Sequence, residues 1–267
     1  MNRRDFLIGS AASVGIPLSG LSRPINSLVA STGEKSATGG GGGWQNPYVT
    51  DRLVAMWDGE WNAGGGVHDA NATMWKDIAV GTHDIPLSSV VSSFSANSFD
   101  YISGRAYMEN SIDVVNAVWD EGYTVELIIK ELESPLSDSN AMIFGGDYHR
   151  TGAFFATSDT NIRCCIRDGS GMTLSRSTNV NLSFATSYAN GKYLGYLNGA
   201  RKYSIYRTPY TSSTAATYFG VGSAGGFGWV SRSGKTKFYS IRIYSRALTA
   251  DEIAANYEID KARFNLP

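Results

Sequence analysis

Three loop segments of this sequence combine aromatic rings with polar side chains, which are the residue types that bind sugars. Sugars stack their apolar faces on exposed rings, while amides, carboxylates, guanidinium groups and backbone groups fix their hydroxyls in a concave site. The segments are residues 58–62, in a glycine-rich loop, residues 206–210 and residues 225–234. From them we predict six ligand-binding residues: Asp58, Trp61, Asn62, Arg207, Tyr210 and Trp229.

Tryptophan and tyrosine near strand ends can also cap a core with one polar edge in water, so a structural role for these clusters stays open. Three other tryptophans, Trp57, Trp75 and Trp119, are flanked by apolar residues. We predict that these three lie in the core.

The acidic residues do not form a pattern that supports hydrolysis of glycans. A retaining glycosidase needs two carboxyl groups close together. Glu126 and Glu131 are five positions apart and would face opposite sides of a regular strand. Glu131 and Glu133 could share a face, but they lie at a strand end beside Pro135. The Gly-x-Ser-x-Gly turn of serine hydrolases is also missing. We therefore predict a protein without catalytic activity.

Histidine and cysteine give no sign of a metal or redox site. The three histidines, His68, His83 and His149, are scattered along the chain, and we predict polar loop positions for them. Cys164 and Cys165 are adjacent, so a disulfide between them would close a loop too short to constrain the chain. On a strand they would point to opposite faces, with Cys164 turned inward.

Composition restricts the class of protein further. The 267 residues are 42% hydrophobic, which is enough for one large β domain with an N-terminal extension. The formal net charge is −1 and the basic residues are scattered, so nucleic acid is not expected as a partner.

The elements that must position these residues are clearest near the C-terminus. Residues 238–244 alternate as a strand, with Phe238, Ser240, Arg242 and Tyr244 predicted on one side. Thr249 and Glu252 then form a capping box for a short helix. Upstream, the Asn-Gly pairs at 190–191 and 198–199 flank a six-residue strand and predict two tight hairpins. Little else in the sequence looks helical.

Four segments, in this order, resemble laminin-G-like, concanavalin A-like jelly-roll domains. They are residues 53–58, 123–130, the Tyr-Leu-Asn-Gly hairpin at 196–199, and the closing strand, Arg-Ala-Leu turn and helix from 238 to 253. The resemblance covers roughly residues 51–264. It implies an all-β sandwich of two antiparallel sheets with one short C-terminal helix. Members of this fold often hold one calcium ion, for which Asp58, Asp69 and Asp147 are possible donors. The Glu-x-Asp-x-x-Glu motif of its laminarinase-like enzymes is absent.

The N-terminus resembles a twin-arginine export signal, with Arg3-Arg4 before a modest apolar run and small residues near position 30. We predict an export signal in residues 1–31, a glycine-rich linker in 32–50 and the jelly-roll domain in 51–267. No later segment is apolar enough to span a membrane. The chain is expected in the periplasm, at the cell surface or outside the cell.

The sequence thus predicts an exported, non-catalytic domain that binds a glycan or another cell-surface ligand. Two alternatives remain open. One is a diverged glycoside hydrolase or polysaccharide lyase of the same fold, and the other is a protein-binding adhesion or structural module. Calcium binding and the oligomeric state also stay open.

Overall fold

The computed structural model describes residues 44–108, 122–132, 141–145, 154–158, 161–167, 170–175, 177, 179–206, 220–222 and 235–267. Within them the chain forms fifteen strands and one C-terminal helix, α1. The strands are β1 (Leu53–Asp58), β2 (Met74–Trp75), β3 (Ile85–Pro86), β4 (Val90–Ser95), β5 (Ser98–Tyr107), β6 (Gly122–Glu131), β7 (Ala141–Gly145), β8 (Phe154–Ser158), β9 (Asn161–Arg167), β10 (Ser170–Ser175), β11 (Asn181–Ala189), β12 (Lys192–Leu197), β13 (Ala200–Tyr206), β14 (Gly220–Gly222) and β15 (Thr236–Tyr244), and α1 spans Ala250–Phe264.

Thirteen strands belong to one antiparallel hydrogen-bonded system. Its order is β10-β9-β8-β7-β14-β5-β15-β6-β11-β12-β13, with β1 also paired to β15 and β4 to β5. The two ends of this order meet again in space, because a Cβ atom on Gly195 of β12 would lie 3.3 Å from the Sδ of Met172 of β10. The predicted β-rich, antiparallel architecture with a terminal helix is confirmed.

The β11–β12–β13 meander follows the two Asn-Gly signals. Asn190 and Gly191 have φ angles of 50° and 76°, and Asn198 and Gly199 have φ angles of 51° and 70°. These left-handed values are the ones that two-residue hairpin turns require, and asparagine and glycine adopt them at low cost. Both predicted hairpins are confirmed.

Strand β15 is buried on both faces. Ile241 and Ile243 face the main apolar core, while Arg242 and Tyr244 face α1, as the alternation predicts. Phe238, predicted on the side of Arg242, instead joins the core. The register shifts between Phe238 and Ser240, and this bulge adds one residue that inverts the alternation on its N-terminal side.

Helix α1 begins with the predicted capping box. The Thr249 side chain accepts a hydrogen bond from the Glu252 backbone N–H, and the Glu252 side chain accepts one from the Thr249 backbone N–H. The Glu252 carboxylate also forms an ion pair with Arg246, and these contacts lower its pKa to about 2. Leu248, before the cap, and Ile253, in the helix, share one apolar cluster, the contact known as a hydrophobic staple.

Two of the predicted core tryptophans also order the loops around β1. Trp57 and Trp75 are fully buried. The Trp57 indole N–H donates to the His83 carbonyl at 2.9 Å, and the Trp75 indole N–H donates to the Asp58 carbonyl at 2.9 Å. Trp119 lies outside the described residues.

Candidate functional site

A buried network of charges joins helix α1 to the sheet. Arg242 has no exposed surface, and its Nε donates to Glu126 of β6 at 2.7 Å. Its Nη1 and Nη2 both donate to the carboxylate of Asp260 of α1. Burial disfavours the charged guanidinium, but attraction to Asp260 and Glu126 holds the pKa of Arg242 well above its ordinary value. The helix is therefore fixed over the sheet by an ionised centre.

Tyr48 connects this buried network to Arg263, which lies nearer the surface. Its ring lies 3.9 Å from the Arg242 guanidinium carbon, and its hydroxyl donates to Asp260 at 2.7 Å. The same hydroxyl accepts from Nη1 of Arg263, in the last turn of α1, at 2.6 Å. Tyr48 is buried, so residues 44–50, which the sequence assigns to the linker, form part of the packed structure in this region.

Arg263 forms an ion pair with Asp58, at the end of β1. Nη1 and Nη2 each donate to one oxygen of the Asp58 carboxylate at 2.9 Å, and Nη2 also donates to Glu60 at 2.7 Å. Burial opposes the charge of Arg263, but the hydrogen bonds to Asp58 and its attraction raise the pKa of the guanidinium. The Asp58 carboxylate also accepts from the backbone N–H groups of Glu60 and Trp61, which fixes the loop after β1.

Two tryptophans cover this ion pair. The Arg263 guanidinium carbon lies 3.6 Å from the centre of the Trp61 ring, a cation–π contact. Trp44 meets Trp61 edge to face, with ring centroids 5.1 Å apart. The indole of Trp44 also lies directly on the loop backbone, because a Cβ atom on Gly65 would lie 2.4 Å from its Cε3 atom. Trp44 can therefore pack in this position only because the loop residues beneath its ring are glycines, which have no side chain.

We expect the substitution Gly65→Ala to displace the Trp44 indole, because the added methyl group occupies the position of the ring. It should lower the free energy of unfolding by about 1–2 kcal/mol, the usual range for overpacking. Urea denaturation of Gly65→Ala, Trp44→Ala and the double variant tests the contact. The double variant should be no less stable than Trp44→Ala, whereas an equal loss from Gly65→Ala in both backgrounds would show that the two residues do not meet.

An open groove lies between the tryptophan pair and α1, with a volume of about 800 Å³. We call it the Trp44–Trp61 groove. Two acidic residues, Glu60 and Glu258, are among the residues that line it, and the side chain of Glu60 is 44% exposed. The lining residues are Trp44, Gln45, Pro47, Glu60, Trp61, Glu258, Ile259, Ala262 and Arg263. Its surface thus combines aromatic rings with a few polar groups, as sites for small ligands do.

The predicted binding residues of the first loop have different places in this site. Trp61 lines the groove. Asp58 is fully buried beneath it and binds Arg263. Asn62 is also fully buried, and its amide exchanges two hydrogen bonds with the Asp69 backbone, at 2.7 and 2.8 Å. The other predicted residues, Arg207, Tyr210 and Trp229, lie outside the described residues.

Sequence reasoning missed Trp44, Glu258 and Arg263 as groove residues. Trp44 follows a run of five glycines, so its composition indicated only a flexible linker. One signal was available: a tryptophan and a tyrosine, Trp44 and Tyr48, four residues apart, are unusual in a segment that buries nothing. Glu258 and Arg263 have the ordinary composition of a solvent-facing helix, and their position becomes evident only from the docking of α1.

Asp77 and His83 form a second buried polar centre, beside β1. The Asp77 carboxylate accepts from five backbone N–H groups, those of Met56, Ala79, Gly81, Thr82 and His83. The His83 Nδ1 lies 3.1 Å from the same carboxylate. Burial alone would raise the pKa of Asp77, but the hydrogen bonds from His83 and from the backbone outweigh it and lower the pKa. This centre closes a loop, and neither Asp77 nor His83 lines the groove.

The described residues contain no cluster of acidic side chains for the calcium ion that the resemblance implies. Both oxygens of Asp58 are bound by Arg263, and Asp147 lies outside the described residues. No group of three or more His, Cys, Asp and Glu side chains in the described part of the chain could hold a metal ion.

Among the residues that the structure describes, no helix has the length and apolar character needed to cross a membrane.

Comparisons with known proteins inform the fold alone. No protein-family model matches this sequence, and no curated protein matches it. Among solved structures, Trypanosoma rangeli sialidase in complex with sialic acid is similar with a TM-score of 0.57 and 14% identity, over 77% of this chain and 32% of that chain. The binding domain of Botulinum neurotoxin DC is similar in complexes with SialylT, with a TM-score of 0.59, and with rat synaptotagmin II, with a TM-score of 0.57. Both show 11% identity over 79% of this chain and 52% of that chain.

This chain therefore spans about a third of the sialidase and about half of the neurotoxin domain. At these identities, the likeness shows only a sheet-rich β fold, shared with parts of proteins that are solved with sialic acid, SialylT or synaptotagmin II. Fold similarity of this kind does not carry activity or ligand from one protein to another.

Proposed function

We propose that this chain is an exported, non-catalytic glycan-binding domain of the laminin-G-like jelly-roll type, with its ligand in the Trp44–Trp61 groove. The observation that carries the proposal is the pair of tryptophans at an open groove beside carboxylates. Aromatic surface with a few convergent polar groups is what a sugar requires. The solved structures with the same sheet-rich fold include proteins named in complex with sialic acid and SialylT, which adds support.

The jelly-roll assignment is supported by how the strand system closes on itself. Ile162 and Met172, from one end of the strand order, share a single core with Phe184 and Tyr193 from the other end. The approach of Met172 to Gly195 brings the two ends face to face. Two layers around one core are the arrangement of a β-sandwich. Export is supported by the Arg3-Arg4 pair and the apolar run after it.

A glycan array probed with the full-length chain tests the proposed function, in parallel with the variants Trp61→Ala and Tyr206→Ala. Tyr206 is the matched control because it is 69% exposed, does not line the groove and belongs to the second aromatic segment of the sequence. Trp61→Ala should weaken binding by about 30-fold, the typical effect of removing a central tryptophan. It should lower stability by only about 1–2 kcal/mol, through the lost cation–π contact.

Tyr206→Ala should retain binding. If Tyr206→Ala abolishes binding and Trp61→Ala does not, the site lies at the end of β13. If the chain binds no glycan on the array but binds a protein partner, the result would favour the protein-binding adhesion module.

Glycoside hydrolysis is the second candidate, because Glu60 and Glu258 line the same groove. Against it, Glu60 is bound to Arg263 and is not a free acid or nucleophile. The release of reducing sugar from the glycans that bind on the array separates the two functions. Turnover that is lost in both Glu60→Gln and Glu258→Gln would establish an enzyme.

A further inference from the structure

The two terminal nitrogens of the guanidinium that lines the groove are saturated by the protein. Nη1 of Arg263 donates to Tyr48 and Asp58, and its Nη2 donates to Asp58 and Glu60. These four hydrogen bonds use the four N–H groups of the two terminal nitrogens. A ligand carboxylate is recognised by the free edge of a guanidinium group, with two parallel hydrogen bonds. At Arg263 it would first have to displace Asp58, whose carboxylate is fully buried.

The remaining charge of the groove is negative. Glu60 and Glu258 contribute two carboxylates against one guanidinium, so the described lining has a formal charge of −1. The Glu258 side chain is exposed and makes no hydrogen bond or ion pair with any residue in the part of the chain that the structure describes. Its carboxylate is therefore available to a ligand that rests on the rings of Trp44 and Trp61.

We propose that the Trp44–Trp61 groove selects non-acidic glycans and prefers sugars that carry a free amino group. This inference rests on the proposed glycan-binding function. The rings take the apolar face of a pyranose, the Glu258 carboxylate pairs with the ammonium group, and an acidic sugar finds no free cation. A protonated amine gains from its attraction to this carboxylate, and an N-acetyl group lacks that attraction.

The expected ligand therefore differs from the acidic sugar named in the solved complex of the sialidase. A shared fold does not determine the charge of a binding site, which depends on the side chains at its surface. Here the local charge is set by Asp58 and Glu60, which neutralise the one arginine of the described lining.

Titration calorimetry of the full-length chain tests the preference with three tetrasaccharides of equal length. They are the tetramers of glucosamine, N-acetylglucosamine and galacturonic acid, compared at low salt and at a pH where the amine is protonated. The glucosamine tetramer should bind about threefold more tightly than the N-acetylated one, as expected for one exposed ion pair. The galacturonic acid tetramer should bind at least about tenfold more weakly than the N-acetylated one, because its carboxylates meet like charge without a partner.

Two variants separate the specific contact from general attraction. Glu258→Gln should bring the affinity ratio of the amino to the N-acetylated tetramer to about one. Asp251→Asn removes an exposed carboxylate from the same helix, outside the groove lining, and should preserve the ratio. An unchanged ratio in Glu258→Gln would overturn the proposal.

The failure of this inference and the failure of the proposed function give different results. Binding of the galacturonic acid tetramer at least as tightly as the others, with loss in Trp61→Ala, would overturn the inference while glycan binding stands. If none of the three tetramers binds and the array is silent, the glycan-binding function fails and the inference fails with it.

Discussion

Replacement of Arg242 by methionine will lower the free energy of unfolding at neutral pH by about 3–5 kcal/mol, the usual loss when one partner of a buried ion pair is removed. Arg242 has no exposed surface and neutralises both Glu126 and Asp260. Without it, the carboxylates of Glu126 and Asp260 stay buried without the positive charge that neutralises them. Urea denaturation monitored by circular dichroism gives the change.

The pH dependence of this variant should be opposite to that of a salt-bridged carboxylate. Burial raises the pKa of Glu126, and the loss of Arg242, whose attraction lowers it, raises it further, so the folded variant binds more protons than the unfolded chain. Its stability should therefore increase as the pH falls from 7 towards about 5. Adding Glu126→Gln and Asp260→Asn to Arg242→Met should restore part of the loss, because the buried charges are gone.

Arg246→Met is the matched control for Arg242. Arg246 pairs with Asp51 and Glu252, but it is 24% exposed and Asp51 is 72% exposed. Exposed pairs of this kind are worth about 1 kcal/mol or less. Equal stability losses in the two variants would show that Arg242 is not the buried centre that fixes α1.

Asp77→Asn should lower the free energy of unfolding by about 3 kcal/mol or more at neutral pH. An amide has one acceptor oxygen, and its NH₂ group would face backbone donors that now point at the carboxylate, which leaves several buried groups unpaired. The exposed residue Asp51 provides the control, and Asp51→Asn should change stability by about 1 kcal/mol or less.

Acid should remove the advantage of the wild type over Asp77→Asn. The folded pKa of Asp77 is lowered from 3.8, so the stabilisation is complete above that value. As the pH falls through 3.8 towards the folded pKa, the unfolded chain gains a proton first, and the stabilisation is lost. Unfolding curves of both proteins from neutral to acid pH should therefore converge, and a constant difference would show that the Asp77 carboxylate is not the stabilising group.

Local features of this fold could be predicted because the residues that determine them are neighbours in sequence. The turns at Asn190 and Asn198 need only a left-handed φ angle and a following glycine. The capping box needs only Thr249 and Glu252, three positions apart. The bulge in β15 was missed because an extra residue in a pairing depends on the partner strand, and the alternation of Phe238 alone does not reveal it.

The site could be predicted only in part, because it is made by contacts between distant segments. Arg242 and Glu126 are 116 positions apart, and Arg263 and Asp58 are 205 apart. An arginine between Ile241 and Ile243 could have indicated a buried partner, since a charge in an apolar strand is rarely left unpaired. Asp58 was predicted from its loop as a ligand contact, and the structure places it under the groove, where it holds Arg263.

NMR of the indole N–H groups tests most directly whether a glycan rests on Trp44 and Trp61. The full-length chain, labelled with ¹⁵N-tryptophan and assigned with single Trp→Phe variants, is titrated with the glucosamine tetramer. The indole signals of Trp44 and Trp61 should move, while those of Trp57 and Trp75, buried and bound to backbone carbonyls, should stay in place. Shifts confined to Trp119 or Trp229, or no shift at saturating sugar, would contradict the account.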